Sequence, residues 1–375
     1  MNFNVRQKKV IYAEDPKILC LAAPATGKTR TLTERVRVLI EEKGVNPKDI
    51  VAMSFTNMAA EEMKRRIGDA ATGSFIGTIH SYGNKICMMN GIDTTKYLLD
   101  FNFDAILLRA VKIPSSKFPK IKHLLVDECQ DLSPLEYQFL TKIPTENIFF
   151  VGDNRQAIYG FRGCTDEYLI NMWRDNAYAK YYLTENYRNA PNIVKYAESM
   201  LDSFTKLSPS SVPVKTRLGI LEGHEKDYPM SFSEAVEELE YSGNWGSWFV
   251  LARTNNELDA AQQYLVEKGI PNVTFKKGDL DNIDELEALI NSNRVKVLTI
   301  HSSKGLENKN VIVTGARFYS EEERKISYVA ATRAENALYM CKAVAKRTRN
   351  HKIPASAQAG QIFDKTETGM ISFED

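Results

Sequence analysis

Residues 18–29, ILCLAAPATGKT, are the most informative segment of the chain. The first five form an unbroken apolar run, which is typical of a strand buried on both faces of a sheet. Beyond the segment, Leu32, Val36 and Leu39 recur at helical spacing. The sequence therefore predicts a strand, a tight turn and a helix. Because a helix N-terminus attracts phosphate through its amides and its dipole, this order favours a phosphate-binding loop.

The turn matches the G-x-x-x-x-G-K-[ST] template for phosphate loops only in part. Ala22 stands where the template has its first glycine, whereas Gly27, Lys28 and Thr29 are present. In a phosphate loop Lys28 would reach the β and γ phosphates, and the Thr29 hydroxyl would bind Mg²⁺. The alternative is an ordinary loop with an exposed lysine, because Gly-Lys-Thr is common by chance.

Length and composition are those of a globular protein with room for two domains. The 375 residues are 43% hydrophobic and 26% charged, so each of two domains can bury its own core. The formal net charge is only +1, which excludes a strongly basic overall field. Any nucleic-acid site must therefore be local.

The cysteines and the termini indicate where the protein resides. The five cysteines are scattered and never form a C-x-x-C pair, which favours a reducing compartment over a disulfide framework or a zinc site. The first residues lack the apolar core of a signal peptide, and no segment has the length of a membrane span. We therefore expect an intracellular, cytoplasmic protein with no membrane partner.

Apolar runs alternate with helical patterns through the first half of the chain. Strands are predicted at residues 50–55, 74–80, 123–127, 147–151 and 180–184. A helix at 133–140 has a sharp start, with Ser133 as N-cap, Pro134 at the first helical position and Glu136 completing a capping box. Another helix is predicted at 58–67. Strands that alternate with helices predict a parallel sheet covered on both faces.

The pattern restarts near Asn186. Helices are predicted at 191–204, 256–268 and 281–292, and strands at 247–251, 295–300, 311–314 and 337–342. This predicts a second α/β unit without a phosphate loop of its own. Residues 346–375 lose all periodicity and are predicted to form a tail.

Asp127 and Glu128 end the apolar run 123–127. In a parallel sheet the carboxyl ends of the strands meet at one edge, so both carboxylates should lie beside the phosphate loop. Asp127 can hold Mg²⁺ there, and Glu128 can orient or deprotonate an attacking water. The alternative is that the pair merely caps the next helix.

The chain resembles the UvrD/Rep/PcrA-like superfamily 1 helicases, over most of residues 1–342. The resemblance is carried by nine ordered motifs besides the phosphate loop. They are NVRQ (4–7), SFTNMAAEEM (54–63), GTIHS (77–81), DECQD (127–131), VGDNRQAIYGFRG (151–163), LTENYR (183–188), RTN (253–255), TIHSSKGLE (299–307) and YVAATRA (328–334).

The resemblance implies a fold of two RecA-like α/β domains with parallel sheets and an ATP site in the cleft between them. The first would span residues 1–185, with a short 1B-like insertion at about 84–120, and the second residues 186–345, with the 2B domain absent. Only 23 residues separate Pro271 from Val295, counted as 295 − 271 − 1. That gap is too short for a domain.

The resemblance also implies ATP and Mg²⁺ as cofactors, with roles for named residues. Lys28, Glu128, Gln156, Arg188 and Arg333 would be catalytic, the two arginines stabilising charge on the transferred phosphate. Thr29 and Asp127 would hold the metal. The residues that would contact the nucleotide are Gln7, Ala25, Thr26, Gly27, Lys28, Thr29, Arg30, Tyr187, Gly305 and Glu307.

A DNA track is implied by the same comparison. Its members would be Phe55, Thr56, Asn57, His80, Tyr159, Phe161, Arg162, Arg253, Asn255 and His301. Aromatic faces stack on unpaired bases regardless of sequence, at about 1 to 3 kcal/mol per base. The alternative is that the three aromatics are core residues, although a buried Arg162 without a partner would be unusual beside them.

The phosphate loop departs from the family pattern A-G-x-G-S-G-K-T. Ala23, Ala25 and Thr26 replace two glycines and a serine. Alanine at a position that needs positive φ would cost affinity. In VGDNRQ, Asn154 and Arg155 replace the family's usual acidic pair.

The resemblance implies an ATP-driven motor that moves 3′ to 5′ on single-stranded DNA and unwinds duplex DNA. Single strands and single-strand/duplex junctions would be its partners, and it would act as a monomer. The final residues could dock a protein partner, a frayed terminus being the alternative. Two rival interpretations are a degenerate helicase that binds DNA or protein with little turnover, and a motor directed to RNA.

Overall fold

The computed structural model describes residues 3–201, 231–274 and 288–341. These residues form two compact units, of which the first ends at Glu185 and the second begins at Asn186. The predicted tail 346–375 and most of the predicted helix 281–292 lie outside the described residues. Within those residues, no helix combines the length and the apolar character that crossing a bilayer requires.

The first unit is a six-stranded sheet with helices. Its strands are Lys17–Ala22 (β1), Ile50–Ser54 (β2), Phe75–Thr78 (β3), Ile121–Val126 (β4), Thr145–Gly152 (β5) and Ala179–Leu183 (β6). Its helices are Val5–Ile11 (α1), Lys28–Glu41 (α2), Asn57–Ile67 (α3), Ile79–Met89 (α4), Thr95–Leu99 (α5), Phe103–Ala110 (α6), Pro134–Thr141 (α7) and Glu167–Arg174 (α8). The strand order is β3-β2-β4-β5-β1-β6, and every pairing is parallel.

The position of β1 in this sheet explains its apolar sequence. It lies between β5 and β6, and Ile18, Leu19 and Cys20 are completely buried. Helix α2 packs Leu32 and Val36 into the same core as Ile18 and Cys20. The predicted strand, turn and helix are therefore confirmed, and the Gly-Lys-Thr segment lies at the carboxyl edge of the sheet.

The second unit contains a five-stranded sheet. Its strands are Trp248–Ala252 (β7), Asn272–Thr274 (β8), Val295–Thr299 (β9), Asn308–Thr314 (β10) and Ala334–Cys341 (β11). Its described helices include Pro191–Ser199 (α9), Phe232–Ser242 (α10), Asn255–Glu267 (α11) and Glu321–Ala331 (α12). The strand order is β11-β10-β7-β9-β8, again all parallel. The predicted fold class of two parallel-sheet α/β regions is confirmed.

Several predicted boundaries were wrong, such as those of β10 and β11, which begin at Asn308 and Ala334 rather than at residues 311 and 337. Residues 79–80 belong to helix α4 rather than to a strand, because Thr78 caps the helix by accepting a hydrogen bond from the Ser81 amide at 3.1 Å. The helix predicted at 191–204 ends at Ser199. The predicted capping box of Ser133 and Glu136 at α7 is confirmed, with both reciprocal hydrogen bonds present.

Candidate functional site

The turn between β1 and α2 contains two residues with left-handed backbones. Ala25 has φ 58° and Gly27 has φ 79°. The Thr26 hydroxyl donates to the Ala23 carbonyl at 2.7 Å and closes the turn from inside. Ala25 is therefore an alanine at a position with positive φ, the situation in which a departure from glycine carries a cost.

Gln7 attaches helix α1 to this turn. Its amide nitrogen donates to the Thr26 carbonyl at 3.0 Å, and its amide oxygen accepts from the Asn4 backbone amide at 3.0 Å. The side-chain oxygen of Asn4 accepts a hydrogen bond from the Gln7 backbone amide at 2.7 Å, which completes a capping box. The structure thus places Gln7, 2% exposed, against the loop backbone. Arg30 lies over the Phe3 ring at 4.4 Å.

Thr29 and Asp127 face each other across the carboxyl edge of the sheet. The Thr29 hydroxyl donates to Asp127 Oδ2 at 2.7 Å. Asp127 directly follows β4, and its own amide donates to the Met53 carbonyl at 2.8 Å, which fixes the residue beside β2. Burial raises the pKa of Asp127, and the negative charge of Glu128 adds to this effect. A positive charge beside Asp127 would therefore be strongly favourable.

These oxygens fit a magnesium ion. Mg²⁺ prefers oxygen ligands and is usually held by one or two protein groups together with phosphates and water. The Thr29 hydroxyl and the Asp127 carboxylate provide such a pair, separated by 2.7 Å. The part of the chain that the structure describes contains no cluster of three or more His, Cys, Asp or Glu that could hold a metal by itself. The Thr29 and Asp127 oxygens fit a Mg²⁺ ion whose remaining ligands are phosphate and water oxygens.

Lys28 and Glu128 lie next to this pair. Lys28 Nζ is 4.0 Å from Glu128 Oε1, and their side chains are 10% and 23% exposed. Glu128 has φ 53°, a left-handed backbone that is unusual for a residue with a side chain. Such strain is tolerated where the surrounding structure fixes it, most often at functional sites. The first unit thus brings Lys28, Thr29, Asp127 and Glu128 together.

Gln156 lies in a buried turn after β5. Its amide nitrogen donates to Asp153 Oδ2 at 2.9 Å, and the residue is 3% exposed. Asp153 itself donates from its backbone amide to Gln130 Oε1 at 3.0 Å. Gln130 and Asp153 were not among the predicted site residues, although both lie inside motifs at the ends of predicted strands.

Arg188 in the second unit forms an ion pair with Glu307. One guanidinium nitrogen also lies 3.5 Å from the Thr332 carbonyl, and the Arg188 backbone amide donates to Asn186 Oδ1 at 2.9 Å. Burial lowers the pKa of Arg188, while Glu307 opposes that effect. Within the described residues, Arg188 Nε is buried without a hydrogen-bond acceptor.

Arg333 is held by backbone carbonyls. It donates to the carbonyls of Val329 at 3.0 Å and Leu306 at 3.1 Å, and to the Thr332 hydroxyl at 3.2 Å. Only 3% of Arg333 is exposed. Nearby, Gly305 has φ 90° and precedes Leu306, whereas Tyr187 is 46% exposed.

Four predicted DNA contacts form one aromatic and cationic cluster on the first unit. Phe55 and Tyr159 are stacked, with ring centroids 5.0 Å apart, and Phe161 lies 6.1 Å from Tyr159. The guanidinium of Arg162 lies 5.4 Å from the Phe55 ring and 5.7 Å from the Tyr159 ring. Phe161 is 68% exposed, so at least this ring is not a core residue. The cluster offers aromatic faces next to a positive charge.

Thr56 and Asn57 begin helix α3 beside this cluster. Thr56 is the N-cap and accepts from the Ala59 amide at 3.2 Å, while Asn57 is the first helical residue. His80 lies in the first turn of α4 between two carboxylates, Asp104 at 3.2 Å and Glu136 at 3.7 Å. The structure thus gives His80 acidic partners.

The predicted contacts of the second unit differ in their surroundings. Arg253 forms a two-bonded ion pair with Glu323, at 2.8 and 2.7 Å. Asn255 is the first residue of α11, and Thr254 caps that helix. His301 lies in the turn after β9 and is half-buried. Glu323 was not recognised from the sequence as the partner of Arg253.

A parallel sheet in which the interior strand β1 leads through Gly-Lys-Thr into a helix, with Asp127 hydrogen-bonded to Thr29, defines the P-loop class of nucleoside triphosphate-binding proteins. Comparison with known families agrees. Residues 7–162 match a family model described as an AAA domain, and residues 279–345 match one described as the UvrD-like helicase C-terminal domain.

Curated relatives point the same way. A probable DNA helicase of Mycoplasma pneumoniae is 24% identical over 90% of this chain and 83% of its own length. The ATP-dependent DNA helicase PcrA of Staphylococcus epidermidis is 21% identical over 72% of this chain and 50% of its own length. The ATP-dependent DNA helicase SRS2 of Saccharomyces cerevisiae is 24% identical over 72% of this chain and 34% of its own length. The chain thus spans about half or less of the last two relatives.

These matches support a UvrD-like superfamily 1 helicase. The family resemblance inferred from the ordered motifs is therefore confirmed.

Proposed function

We propose that this chain is an ATP-dependent DNA helicase that moves 3′ to 5′ on single-stranded DNA and unwinds duplex DNA. The observation that carries the proposal is the hydrogen bond of 2.7 Å from the Thr29 hydroxyl to the Asp127 carboxylate. Lys28 and Glu128 lie beside this pair. A cation-binding oxygen pair, a lysine for phosphate and a carboxylate for water are the groups that hydrolysis of a nucleoside triphosphate needs.

In this proposal the loop residues 25–30 bind the phosphates, and Lys28 neutralises charge on the β and γ positions. Thr29 and Asp127 hold Mg²⁺, which supplies further neutralisation of the phosphates when it is bound. Glu128 orients the attacking water and accepts its proton. Arg188 and Arg333 stabilise the charge that develops during transfer, and Tyr187, Gly305 and Glu307 serve the base and ribose.

Single-stranded DNA is the proposed polymer. The cluster of Phe55, Tyr159, Phe161 and Arg162 supports this assignment, because stacked rings with an adjacent guanidinium bind unpaired bases of any sequence. Thr56, Asn57, His80, Arg253, Asn255 and His301 are proposed as backbone or sugar contacts. His80 and Arg253 must exchange a carboxylate for phosphate to act in this way.

The chain is proposed to be a reduced motor. Between His80 and strand β4 the structure contains the rest of α4 and the short helices α5 and α6, which supports the proposal of a small, helical 1B-like insertion. Pro271 and Val295 are joined by a hydrogen bond from the Val295 amide to the Pro271 carbonyl at 2.9 Å, across the position where a 2B domain would be inserted. These features support translocation more directly than efficient unwinding. We propose that the chain acts as a monomer and that unwinding needs a junction or a protein partner.

Replacing Lys28 by alanine tests the hydrolytic part of the proposal. We expect single-stranded DNA to stimulate ATP hydrolysis by the wild-type protein and Lys28→Ala to remove that activity, because the phosphate charge then lacks its lysine. Lys43→Ala is a matched control, since Lys43 is an exposed lysine near the end of the same helix that pairs with Glu14. A Lys28→Ala protein that hydrolyses ATP at the wild-type rate would refute the proposal.

A strand-displacement assay and a comparison of DNA with RNA test the proposed unwinding, its polarity and the choice of polymer. Duplexes with a 3′ or a 5′ single-stranded overhang should separate only when the overhang is 3′, and RNA of equal length should stimulate hydrolysis less than DNA. Binding of DNA without hydrolysis would favour the degenerate binding module instead, and preferential stimulation by RNA would favour the RNA-directed motor.

A further inference from the structure

Asp153 is a buried carboxylate shared by two neighbouring side chains. Its Oδ1 accepts from Arg155 Nε at 2.9 Å, and its Oδ2 accepts from Gln156 Nε2 at 2.9 Å. Asp153, Arg155 and Gln156 are 4%, 5% and 3% exposed. The Arg155 backbone amide also donates to Oδ1 at 3.1 Å, so the short turn at 154–156 is wound around this carboxylate.

An ionised carboxylate sets the orientation of the Gln156 amide. Carboxylate oxygens only accept hydrogen bonds, so Gln156 must present its NH₂ group to Asp153 and direct its carbonyl oxygen elsewhere. A neutral carboxyl group could also donate, and either orientation of the amide would then be satisfied. The orientation of Gln156 therefore depends on the charge of Asp153.

Arg155 maintains that charge. Burial alone would raise the pKa of Asp153, but the nearby charges of Arg155 and Lys28, together with the hydrogen bonds from Arg155 and Gln156, outweigh burial and hold the pKa below its usual value. A buried arginine that pairs so closely with a carboxylate is costly to bring out of water, and such pairs are often replaceable by apolar residues without loss of stability. Stability alone is therefore a weak reason for this pair.

The same residue also fixes a second amide beside Glu128. The Asp153 backbone amide donates to Gln130 Oε1 at 3.0 Å, and Gln130 Nε2 in turn donates to the Glu128 carboxylate. Gly152 leaves room for this contact, because a Cβ at Gly152 would lie 2.5 Å from Gln130 Oε1. Asp153 thus orients Gln130 through its backbone and Gln156 through its side chain.

We infer that Arg155 is a positioning residue for ATP hydrolysis: by pairing with Asp153 it fixes the Gln156 amide with its oxygen turned away from Asp153, as an acceptor for the attacking water. The inference rests on the proposed function and assigns a role to the arginine that departs from the family's acidic pair. Arg155 is not proposed to touch the reactants. It acts through Asp153 and Gln156.

A double-mutant cycle separates positioning from stability. Arg155→Met and Asp153→Asn each break the buried pair, and each should lower the melting temperature, whereas the combined variant removes the pair as a unit and should regain most of the lost stability. Turnover should behave differently. Since an amide at residue 153 can donate or accept, we expect kcat of the combined variant to remain on the order of 10- to 100-fold below the wild-type value. The KM for ATP should change little.

The measurements are melting temperature by circular dichroism and steady-state ATP hydrolysis with saturating single-stranded DNA. Each kcat is corrected for the folded fraction at the assay temperature, so loss of folded protein cannot mimic loss of turnover. Arg155→Lys should retain most of the wild-type kcat, because it keeps a cation beside Asp153. Wild-type kcat per folded molecule in Arg155→Met, or recovery of kcat together with stability in the combined variant, would overturn the inference. Absence of hydrolysis in the wild-type protein would refute the proposed function itself, and the inference would fall with it.

Discussion

Ala25 has φ 58° in the candidate phosphate loop, a conformation that costs an L-residue about 1 to 2 kcal/mol and costs glycine almost nothing. Ala25→Gly relieves this strain. The substitution also loosens the unfolded chain, which costs about 0.4 to 1 kcal/mol. We therefore expect a net stabilisation of about 0.5 to 1 kcal/mol, equivalent to a rise of roughly 1 to 4 °C in the melting temperature of a unit of this size.

Ala23→Gly is the matched control for this prediction. Ala23 lies in the same loop, but it is not among the described residues with positive φ. Glycine there relieves no strain and should lower stability by about 0.5 to 1 kcal/mol, with a further loss because Ala23 is buried. Urea denaturation of the two variants measures both effects. If Ala25→Gly destabilises the protein as much as Ala23→Gly, the argument from backbone strain is wrong.

Two further predictions concern the DNA cluster and the effect of pH. Phe161→Ala should weaken binding of single-stranded DNA by about 1 to 3 kcal/mol in fluorescence anisotropy, because one stacking surface is lost. Tyr241→Ala is the control, since Tyr241 is 93% exposed and lies outside the cluster. Equal affinity of the two variants for single-stranded DNA would show that Phe161 is not part of the DNA track. For His123, burial lowers the pKa from 6.5 to about 4, so the imidazole contributes stability that is fully present above pH 6.5 and is lost as pH falls towards 4. The difference corresponds to about 3 kcal/mol, or roughly half of that because His123 is partly exposed to solvent. In His123→Gln the free energy of unfolding should therefore fall by that much less between pH 6.5 and pH 4. An unchanged slope in the variant would show that His123 does not titrate differently on folding.

The nucleotide half of the candidate site was predictable because its signal is local. A buried strand, a turn and Gly-Lys-Thr at a helix start occupy consecutive residues, and Asp127 ends an apolar run. In a parallel sheet the carboxyl ends of the strands share one edge, so the contact between Thr29 and Asp127 follows from the order of elements. The family resemblance then extended the site to residues whose own patterns were uninformative.

Several elements were missed although their signals were present. Ser231 with Glu234 forms a capping box that begins α10, and Ser320 caps α12, which starts with three consecutive glutamates. Thr78 with Ser81 likewise marks the start of α4, where a strand was predicted to continue. Capping signals therefore locate helix starts better than the end of an apolar run does.

The partners of charged side chains could not be predicted, because they depend on which elements pack together. Arg253 and Glu323 are 70 residues apart in sequence, and no local pattern connects them. The same holds for Asp153, whose role became visible only when Gln130 and Gln156 were found on either side of it. The residue types at the site could be predicted from the sequence, whereas the hydrogen-bond partners of these residues could be identified only from the tertiary structure.

Arg188 and Arg333 illustrate the consequence of that difference. Both were predicted to stabilise a transferred phosphate, yet Arg188 pairs with a carboxylate and Arg333 donates to two carbonyls and a hydroxyl. Release of Arg333 would remove a donor from the Leu306 carbonyl, at about 1 to 3 kcal/mol if that carbonyl is left unsatisfied, whereas the Val329 carbonyl would keep its hydrogen bond from the Thr332 hydroxyl at 3.0 Å. Arg188 would instead exchange one anion for another, and Glu307 would become available to the ribose. Arg188 is therefore better suited than Arg333 to respond to an arriving nucleotide, while Arg333 can serve a phosphate only by keeping its carbonyl bonds or by paying this cost.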